Sequence, residues 1–151
     1  MATPAAGERP CVCGKTGCLE TIASTTAFAA RLSERMGQKL DLEDFERLLG
    51  TADPVALQIL RHGIRSLGEV LSDLINFIHP ARIVLSGAFT EWNADILSMV
   101  RSVIYERALP VATKRLTVTS AVHGHRSGTA GALAVGLEAL LDEQRLAAIG
   151  E

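Results

Sequence analysis

Three cysteines and a glutamate near the N-terminus are the residues of this chain whose types and spacing could support chemistry. Cys11, Cys13 and Cys18 lie within eight residues, and Glu20 follows at once. Glycines between the cysteines permit the positive-φ turns that fold a loop back on itself, so the thiolates can converge on one soft cation. The spacing predicts a zinc-binding loop over residues 11–20, although a tetrahedral structural site needs four ligands and the cluster supplies three.

Spacing does not identify a fourth ligand. The chain has four histidines, all distant from the cysteines in sequence, namely His62, His79, His123 and His125. A lone histidine is more often an ordinary surface or core residue than a metal ligand, and we interpret each of them in that way. The odd number of clustered cysteines favours a metal site in a reducing compartment over a secreted disulfide framework.

Length and composition indicate one domain. The chain has 151 residues, of which 48% are hydrophobic, and this is enough to build a core. The net charge is −2 with acids and bases interspersed, so no basic face is available for duplex DNA or an anionic membrane. No apolar run is long enough to span a bilayer and no signal peptide is recognisable, so we expect a cytoplasmic protein without membrane insertion.

The segments that must position the cysteine loop mostly show apolar residues at the spacing typical of helices. Residues 1–10 contain two prolines and a glycine, which predicts an irregular lead-in. Three helices are predicted next, over about Leu19–Met36, from the Asp41 cap to Gly50, and over Pro54–Ile78. The hydroxyl residues Ser24–Thr26 are expected to kink or restart the first of these helices. The third is the long central helix, which Pro80 brings to an end.

The second half of the chain alternates strands with helices, which favours an α/β fold. The predicted elements are a strand at Arg82–Ser86, a helix at Asn93–Ala108, a strand at Leu116–Val122, a turn at Gly124–Gly128 and a final helix to about Leu141. The first strand is apolar, so we expect it to be buried on both faces of a parallel sheet. Small residues in Gly128–Gly136 predict close packing of the final helix. Two strands leave an unpaired edge, so we infer a dimer or part of a larger fold.

Three blocks of the sequence carry a recognisable family pattern. They are CVCGKTGCLETIAS at Cys11–Ser24, NFIHPARIVLSG at Asn76–Gly87 and GTAGALAVG at Gly128–Gly136. Together they resemble the ROK family of bacterial sugar kinases and sugar-responsive repressors, whose signature is CxCGxxGCxE. The run GCLETIAS and the ALP segment at Ala108–Pro110 are most similar to the Mlc/NagC type of repressor. The resemblance implies an α/β fold, the helix-rich C-terminal lobe of an actin-like (ribonuclease H-like) sugar kinase, over residues 19–145 with a tail at 146–151.

The resemblance also implies roles for the residues of the loop. Cys11, Cys13 and Cys18 would be ligands of zinc, and Glu20 would accept hydrogen bonds from sugar hydroxyls. The family's fourth zinc ligand is a histidine about ten residues before the first cysteine. That position falls at or beside Met1, and no histidine precedes His62. We therefore expect the chain to begin just after the residue that would complete the site.

The same resemblance implies that this chain would be the effector-sensing and dimerisation part of a sugar-responsive transcriptional regulator. The family's catalytic Asn-Asp pair, phosphate-binding glycine loop and DNA-binding winged helix-turn-helix all precede the segment that this sequence matches. We therefore predict no catalytic residue here and DNA contact only through an absent N-terminal domain. The expected partners are a second copy of the chain and a sugar or sugar phosphate effector in the intact protein. The alternative is the C-terminal fragment of a glucokinase-like ROK sugar kinase, inactive alone.

Overall fold

The computed structural model describes residues 1–87, 89–92 and 95–141. Within these ranges the chain forms seven α-helices and a two-stranded sheet. The helices are α1 Thr25–Met36, α2 Leu42–Gly50, α3 Pro54–Ile78, α4 Phe89–Trp92, α5 Ile96–Arg107, α6 Pro110–Thr113 and α7 Ser127–Leu140. The strands are β1 Arg82–Leu85 and β2 Thr117–Ser120. The sequence did not indicate α4 and α6, because four residues are too few to show a helical period.

The central helix α3 begins and ends where the sequence predicts. The Asp53 carboxylate accepts hydrogen bonds from the backbone N–H groups of Val55 and Ala56 at 2.9 and 3.0 Å, and proline at the first helical position presets φ. At the other end His79 takes a left-handed conformation with φ of 51° before Pro80. This 25-residue helix is the axis against which α1, α2 and α5 pack.

The helix predicted over Leu19–Met36 is divided in two, and this corrects the sequence expectation. Leu19–Thr21 forms one 3₁₀ turn, and α1 begins only at Thr25. The hydroxyl of Ser24 causes the break, because it accepts a hydrogen bond from the backbone N–H of Ala27 at 3.1 Å. A serine satisfies the unpaired donors of a helix start better than it supports a helix interior. The restart expected at Ser24–Thr26 is confirmed.

Three aromatic rings fix α1 against its neighbours. Phe28 of α1 stacks on Phe45 of α2 with ring centroids 5.4 Å apart. Trp92 of α4 meets these two rings edge-on, at 5.9 and 5.7 Å. The indole N–H of Trp92 donates to the carboxylate of Glu46 at 2.8 Å, so the polar edge of the half-buried ring has a partner. The end of α1 that follows the cysteine loop is therefore held by a rigid cluster.

Two glycines of α3 allow its neighbours to approach its backbone. A Cβ added to Gly63 would lie 2.7 Å from the carbonyl oxygen of Ile22, next to α1. A Cβ added to Gly68 would lie 2.7 Å from Cβ of Val103 in α5. Real Cβ atoms do not approach other atoms so closely, so glycine is required at both positions.

The final helix α7 does not pack closely, contrary to the sequence expectation for Gly128–Gly136. None of its residues is buried among those that the structure describes, and Leu133 and Leu140 are 65% and 70% exposed. A Cβ added to Gly131 or Gly136 would meet no atom within 4 Å. The contacts of α7 are mainly with the 3₁₀ turn Gly124–Arg126, which replaces the simple turn predicted there. The helix therefore presents uncovered apolar surface.

The two strands pair in parallel, as predicted, with Arg82 opposite Thr117 and Leu85 opposite Ser120. The prediction that β1 is buried on both faces is wrong. Leu85 is 7% exposed and belongs to the core, whereas its neighbour Val84 is 52% exposed. Successive residues of a strand point to opposite faces, so the described helices cover one face of the sheet and leave the other open.

The guanidinium of Arg101 joins α5 to the strand β2. Its Nε donates to the carbonyl oxygen of Val118 at 3.0 Å, and Nη2 donates to the same oxygen.

None of the described helices has the length and apolar character needed to cross a membrane. The predicted tail at 146–151 lies outside the described residues.

Candidate metal centre

The cysteine loop is a tight, hydrogen-bonded turn. The backbone N–H of Cys11 donates to the carbonyl of Lys15 at 2.8 Å, and the N–H of Gly14 donates back to Cys11 at 2.9 Å. Pro10 and Thr16 form an antiparallel bridge at its base. Gly14 turns the chain with φ of 82°, a conformation that glycine adopts without steric cost. This fold-back brings the three thiols together.

The segment before the loop is part of the same structure, although the sequence predicted only an irregular lead-in. It contains a 3₁₀ turn at Pro4–Ala6. The N–H of Thr3 donates to the carbonyl of Gly17 at 2.8 Å, and the N–H of Leu19 donates to that of Met1 at 2.9 Å. These bonds hold the lead-in along the strand-like segment around Cys18. The segment around the third cysteine is thus held in place by pairing with the first residues of the chain.

The three sulfur atoms lie in one small volume. The Sγ atoms of Cys11, Cys13 and Cys18 are all within 4.8 Å of one another. The distance between Sγ of Cys13 and Sγ of Cys18 is 3.6 Å. In a tetrahedral zinc site with bonds of about 2.3 Å, two sulfur ligands lie about 3.8 Å apart. The cluster therefore has donors of the right kind and spacing to hold a metal ion.

The environments of the cysteines differ. Cys13 is exposed, and the backbone N–H of Lys15, followed by the neighbouring thiols, lowers its pKa below the ordinary value. Cys18 is 7% exposed, and the neighbouring Cys13, followed by burial, raises its pKa to about 11. Of these two thiols, Cys13 therefore ionises more readily and Cys18 less readily than an ordinary cysteine.

No described histidine or carboxylate joins the cysteine group. His62 lies in α3 and lines a different pocket. His79 caps the far end of α3 and His123 precedes the turn Gly124–Arg126, and both are exposed. The side chain of His125 lies outside the described part of the chain. In the described part of the chain, His62, His79 and His123 therefore lie apart from the cysteine cluster.

Glu20 lies on the 3₁₀ turn that follows Cys18, with its side chain exposed. The hydroxyl of Thr21 donates to the carbonyl of Cys18, and that of Ser24 donates to the carbonyl of Glu20, both at 2.7 Å. Glu20 lines a groove of about 410 Å³ together with Cys11 and Thr26. It also borders a second groove, of about 520 Å³, which includes all three cysteines. The structure therefore brings Glu20 and the cysteines to one surface.

The family model described as the ROK family matches residues 2–139 of this chain. The chain belongs to the ROK family. The match includes the cysteine loop, α1 to α6 and most of α7. The family expected from the three sequence blocks is confirmed.

ROK proteins similar to this chain include both regulators and kinases. The DNA-binding transcriptional dual regulator NagC of Escherichia coli K12 is 32% identical over 145 residues, which cover 90% of this chain and 35% of the regulator. The glucokinase of Halalkalibacterium halodurans is 28% identical over 139 residues, which cover 83% of this chain and 42% of the enzyme. The chain thus spans less than half the length of these curated relatives.

The fold agrees with this membership. The solved structure of the ROK hexokinase from Thermus thermophilus matches with a TM-score of 0.68 at 21% identity, over 82% of this chain and 41% of the hexokinase. The predicted fold class, the actin-like fold of ROK sugar kinases and regulators, is confirmed.

Sequence reasoning missed one ionic contact that ties the lead-in of this ROK chain, just before the cysteine loop, to α1. The guanidinium of Arg9 donates through both terminal nitrogens to the two carboxylate oxygens of Glu34, at 3.1 and 3.0 Å. The partners are 25 residues apart, so no local spacing predicts the pair. A detectable signal lay in α1 itself, where Arg31, Glu34 and Arg35 have the spacing that places side chains on one helix face.

Proposed function

We propose that this chain is the sugar-sensing and dimerisation part of a ROK transcriptional regulator. The observation that carries the proposal is the position of Glu20, which follows a three-cysteine cluster directly and lines the groove beside it. The similarity to the regulator NagC over 90% of the chain favours a regulator. DNA contact would then belong to another part of that protein, and the effector would be a sugar or sugar phosphate.

Zinc is the metal that fits this donor set best. Cys11, Cys13 and Cys18 would hold it as thiolates, and zinc prefers sulfur ligands in a closed tetrahedral arrangement. In such a site the ion supplies no reaction chemistry but cross-links the loop. The fourth ligand would come from water, a buffer ion or a residue outside the three cysteines. The loop thus held would fix the 3₁₀ turn that carries Glu20.

Glu20 would bind the sugar through its carboxylate. An ionised carboxylate accepts strong, directional hydrogen bonds from hydroxyl groups, and a polyol offers several of them. The exposed position of Glu20 at the edge of the groove gives a ligand access to both oxygens. A single carboxylate on an open surface binds weakly, so we expect affinities in the millimolar range, about −4 kcal/mol, for this chain.

Metal content tests the first part of this proposal. We expect about one zinc per chain by plasma mass spectrometry, as a site of this type provides, and Cys13→Ser to lower that content. Val12→Ala, in the same loop but with an exposed, non-ligating side chain, is the control and should retain the metal. If the chain is purified without metal and keeps its fold when treated with a chelator, the result would contradict the proposed zinc site.

Sugar binding tests the second part. Saturation-transfer NMR with glucose, N-acetylglucosamine and N-acetylmannosamine should detect contact with one of these sugars. Glu20→Gln should abolish the signal, whereas Glu8→Gln, an exposed carboxylate of the lead-in, should not. Equal signals from the two variants would contradict the role of Glu20, and micromolar affinity by calorimetry would contradict the expectation of weak binding.

Dimerisation would cover the surfaces that the described residues leave open. The exposed side of β1 and the apolar residues of α7 are of the kind that associate in water. Light scattering after size exclusion should therefore give a mass above that of one chain. A stable monomer at high concentration would contradict this part of the proposal.

The second candidate is part of a ROK sugar kinase, which the 28% identity to a glucokinase favours. The reading frame before Met1 separates the two candidates. A winged helix-turn-helix encoded there would support the regulator, and a glycine-rich phosphate loop without it would support the kinase.

A further inference from the structure

A third concavity, next to the two grooves of the candidate metal centre, is lined mainly by cationic and polar side chains. It has a volume of about 260 Å³ and lies between α1, α3 and the segment before Cys11. Its lining, which we name the basic pocket, consists of Arg9, Arg31, Glu34, Arg35, Gln58, Ile59 and His62. Arg9 and Glu34 also line the groove of Glu20. The Arg9–Glu34 ion pair therefore lines both the basic pocket and the groove of Glu20.

Arg31 lacks an acceptor in this pocket. Its Nη1 atom is buried and has no hydrogen-bond partner among the described residues. No carboxylate in the described ranges forms an ion pair with Arg31 or Arg35. A buried N–H group that remains unpaired costs free energy, and native structures pair most such groups. An acceptor from a ligand would satisfy this donor.

The basic pocket carries excess positive charge. Its three arginines face a single carboxylate, Glu34, whose two oxygens both accept from Arg9. Burial, and after it the charge of Arg31, lowers the pKa of His62. Burial also lowers the pKa of Arg31, and the charge of Arg9 lowers it further. Among the described lining residues, three guanidinium groups thus face one carboxylate, and two positive charges have no carboxylate to balance them.

From this arrangement we infer that the basic pocket binds a small anion through a phosphate group, with Arg31 and Arg35 as the charged donors. A guanidinium presents its N–H groups in a planar fork that matches two oxygens of a phosphate. A phosphate dianion also balances the two uncompensated charges. The ligand class is inorganic phosphate or a phosphate monoester. Binding of phosphate itself depends on neither the metal nor Glu20. A phosphorylated sugar as ligand would in addition rest on the effector class proposed above.

The test is a titration of the full chain with inorganic phosphate by calorimetry, at fixed ionic strength. Arg31→Met should weaken binding by about tenfold or more, because a charged hydrogen bond is lost. Glu34→Gln should strengthen binding, because it removes the one negative charge of the pocket and releases Arg9. The matched controls are Arg82→Gln and Glu43→Gln, which change the same charges at exposed positions of β1 and α2. Each control should change the affinity by less than about twofold, since exposed charges at a distance are screened.

The opposite effects of the two pocket variants distinguish a ligand site from a structural ion cluster. Unchanged phosphate affinity in Arg31→Met, no gain in Glu34→Gln, or an equal loss in Arg82→Gln would each overturn the inference. Should circular dichroism show that Arg31→Met is unfolded, Arg35→Met, which changes an exposed side chain, replaces it and should weaken binding severalfold.

Two further titrations identify the source of the phosphate and separate this site from the sugar site. Glucose 6-phosphate binding more tightly than inorganic phosphate would support a phosphorylated sugar as ligand, and equal affinities would support the phosphate group alone. Glu20→Gln should bind phosphate as the parent chain does, even if it no longer binds sugar. Loss of phosphate binding in Glu20→Gln would contradict a separate site.

Discussion

Gly63 of α3 lies directly against the ring of Phe28 in α1, so that a Cβ on the glycine would be 2.4 Å from Cε1 of the ring. The ring cannot move away easily, because it stacks on Phe45 and contacts Trp92. The backbone of Ile22, on the segment between the cysteine loop and α1, blocks the same space. This contact therefore sets the distance between α3 and the segment that leads out of the candidate site.

Gly63→Ala should lower the free energy of unfolding by about 2 kcal/mol, because an inserted methyl group forces a packed core to move. Urea denaturation gives the value. The control is Gly136→Ala in α7, where the added methyl meets no atom. That change should leave stability unchanged or raise it by up to about 1 kcal/mol, because alanine favours a helix interior. Equal effects of the two variants would contradict the close approach of α1 and α3.

Ser24→Ala should destabilise the start of α1 by about 1 kcal/mol, because the N–H of Ala27 loses its cap. Amide exchange at Ala27 should accelerate, which locates the effect. Ser24→Thr, which keeps a capping hydroxyl, should recover most of the loss. Ser98→Ala, at an exposed position of α5, serves as the reference substitution. Unchanged exchange at Ala27 in Ser24→Ala would contradict the capping role.

In the metal-free chain, iodoacetamide should alkylate Cys13 first and Cys18 last. The lowered pKa of Cys13 raises its thiolate fraction at neutral pH, and its side chain is exposed. The raised pKa of Cys18, about 11, keeps it protonated, so its rate should continue to rise as the pH is increased towards that value. Peptide mass spectrometry resolves the two sites.

Added zinc should suppress alkylation of all three cysteines together, because a thiolate that is bound to a metal ion reacts poorly with iodoacetamide. Magnesium, which prefers oxygen ligands, is the control ion and should give no protection. Protection of Cys13 alone would argue against convergence of the three thiolates on one ion.

Arg101→Met should lower the free energy of unfolding by about 1–2 kcal/mol, because the carbonyl of Val118 loses a charged donor. Methionine preserves much of the apolar stem, so the change isolates the hydrogen bond. Arg115→Met, an exposed arginine close to the same strand, should have an effect below about 0.5 kcal/mol. Similar losses in both variants would indicate that Arg101 acts through bulk charge rather than through β2.

Local signals in the sequence determined most helix ends correctly. Asp53 with Pro54 defines the start of α3, and the cysteine loop is recognisable from its residues alone. These features depend on neighbours within a few positions, so a sequence displays them.

Features that depend on distant residues could not be predicted. Spacing does not reveal which glycines face a neighbour. The sequence therefore predicts close packing at Gly128–Gly136, where it is absent, and does not indicate it at Gly63 and Gly68, where it occurs. Burial of β1 depends on what covers its second face, which the composition of β1 does not encode. The pairing of Arg9 with Glu34 also requires the fold, because it depends on how α1 lies beside the loop.

The register of the sheet has a consequence for the order of folding. Arg82 pairs with Thr117, about 35 residues further along the chain, and closing such a long segment carries an entropic cost. The cysteine loop closes over a few residues, from Cys11 to Lys15. Contacts with short sequence separation form sooner than those with long separation. We therefore expect the loop and its lead-in to fold before the two strands pair. A metal ion could then bind the loop before the sheet is complete.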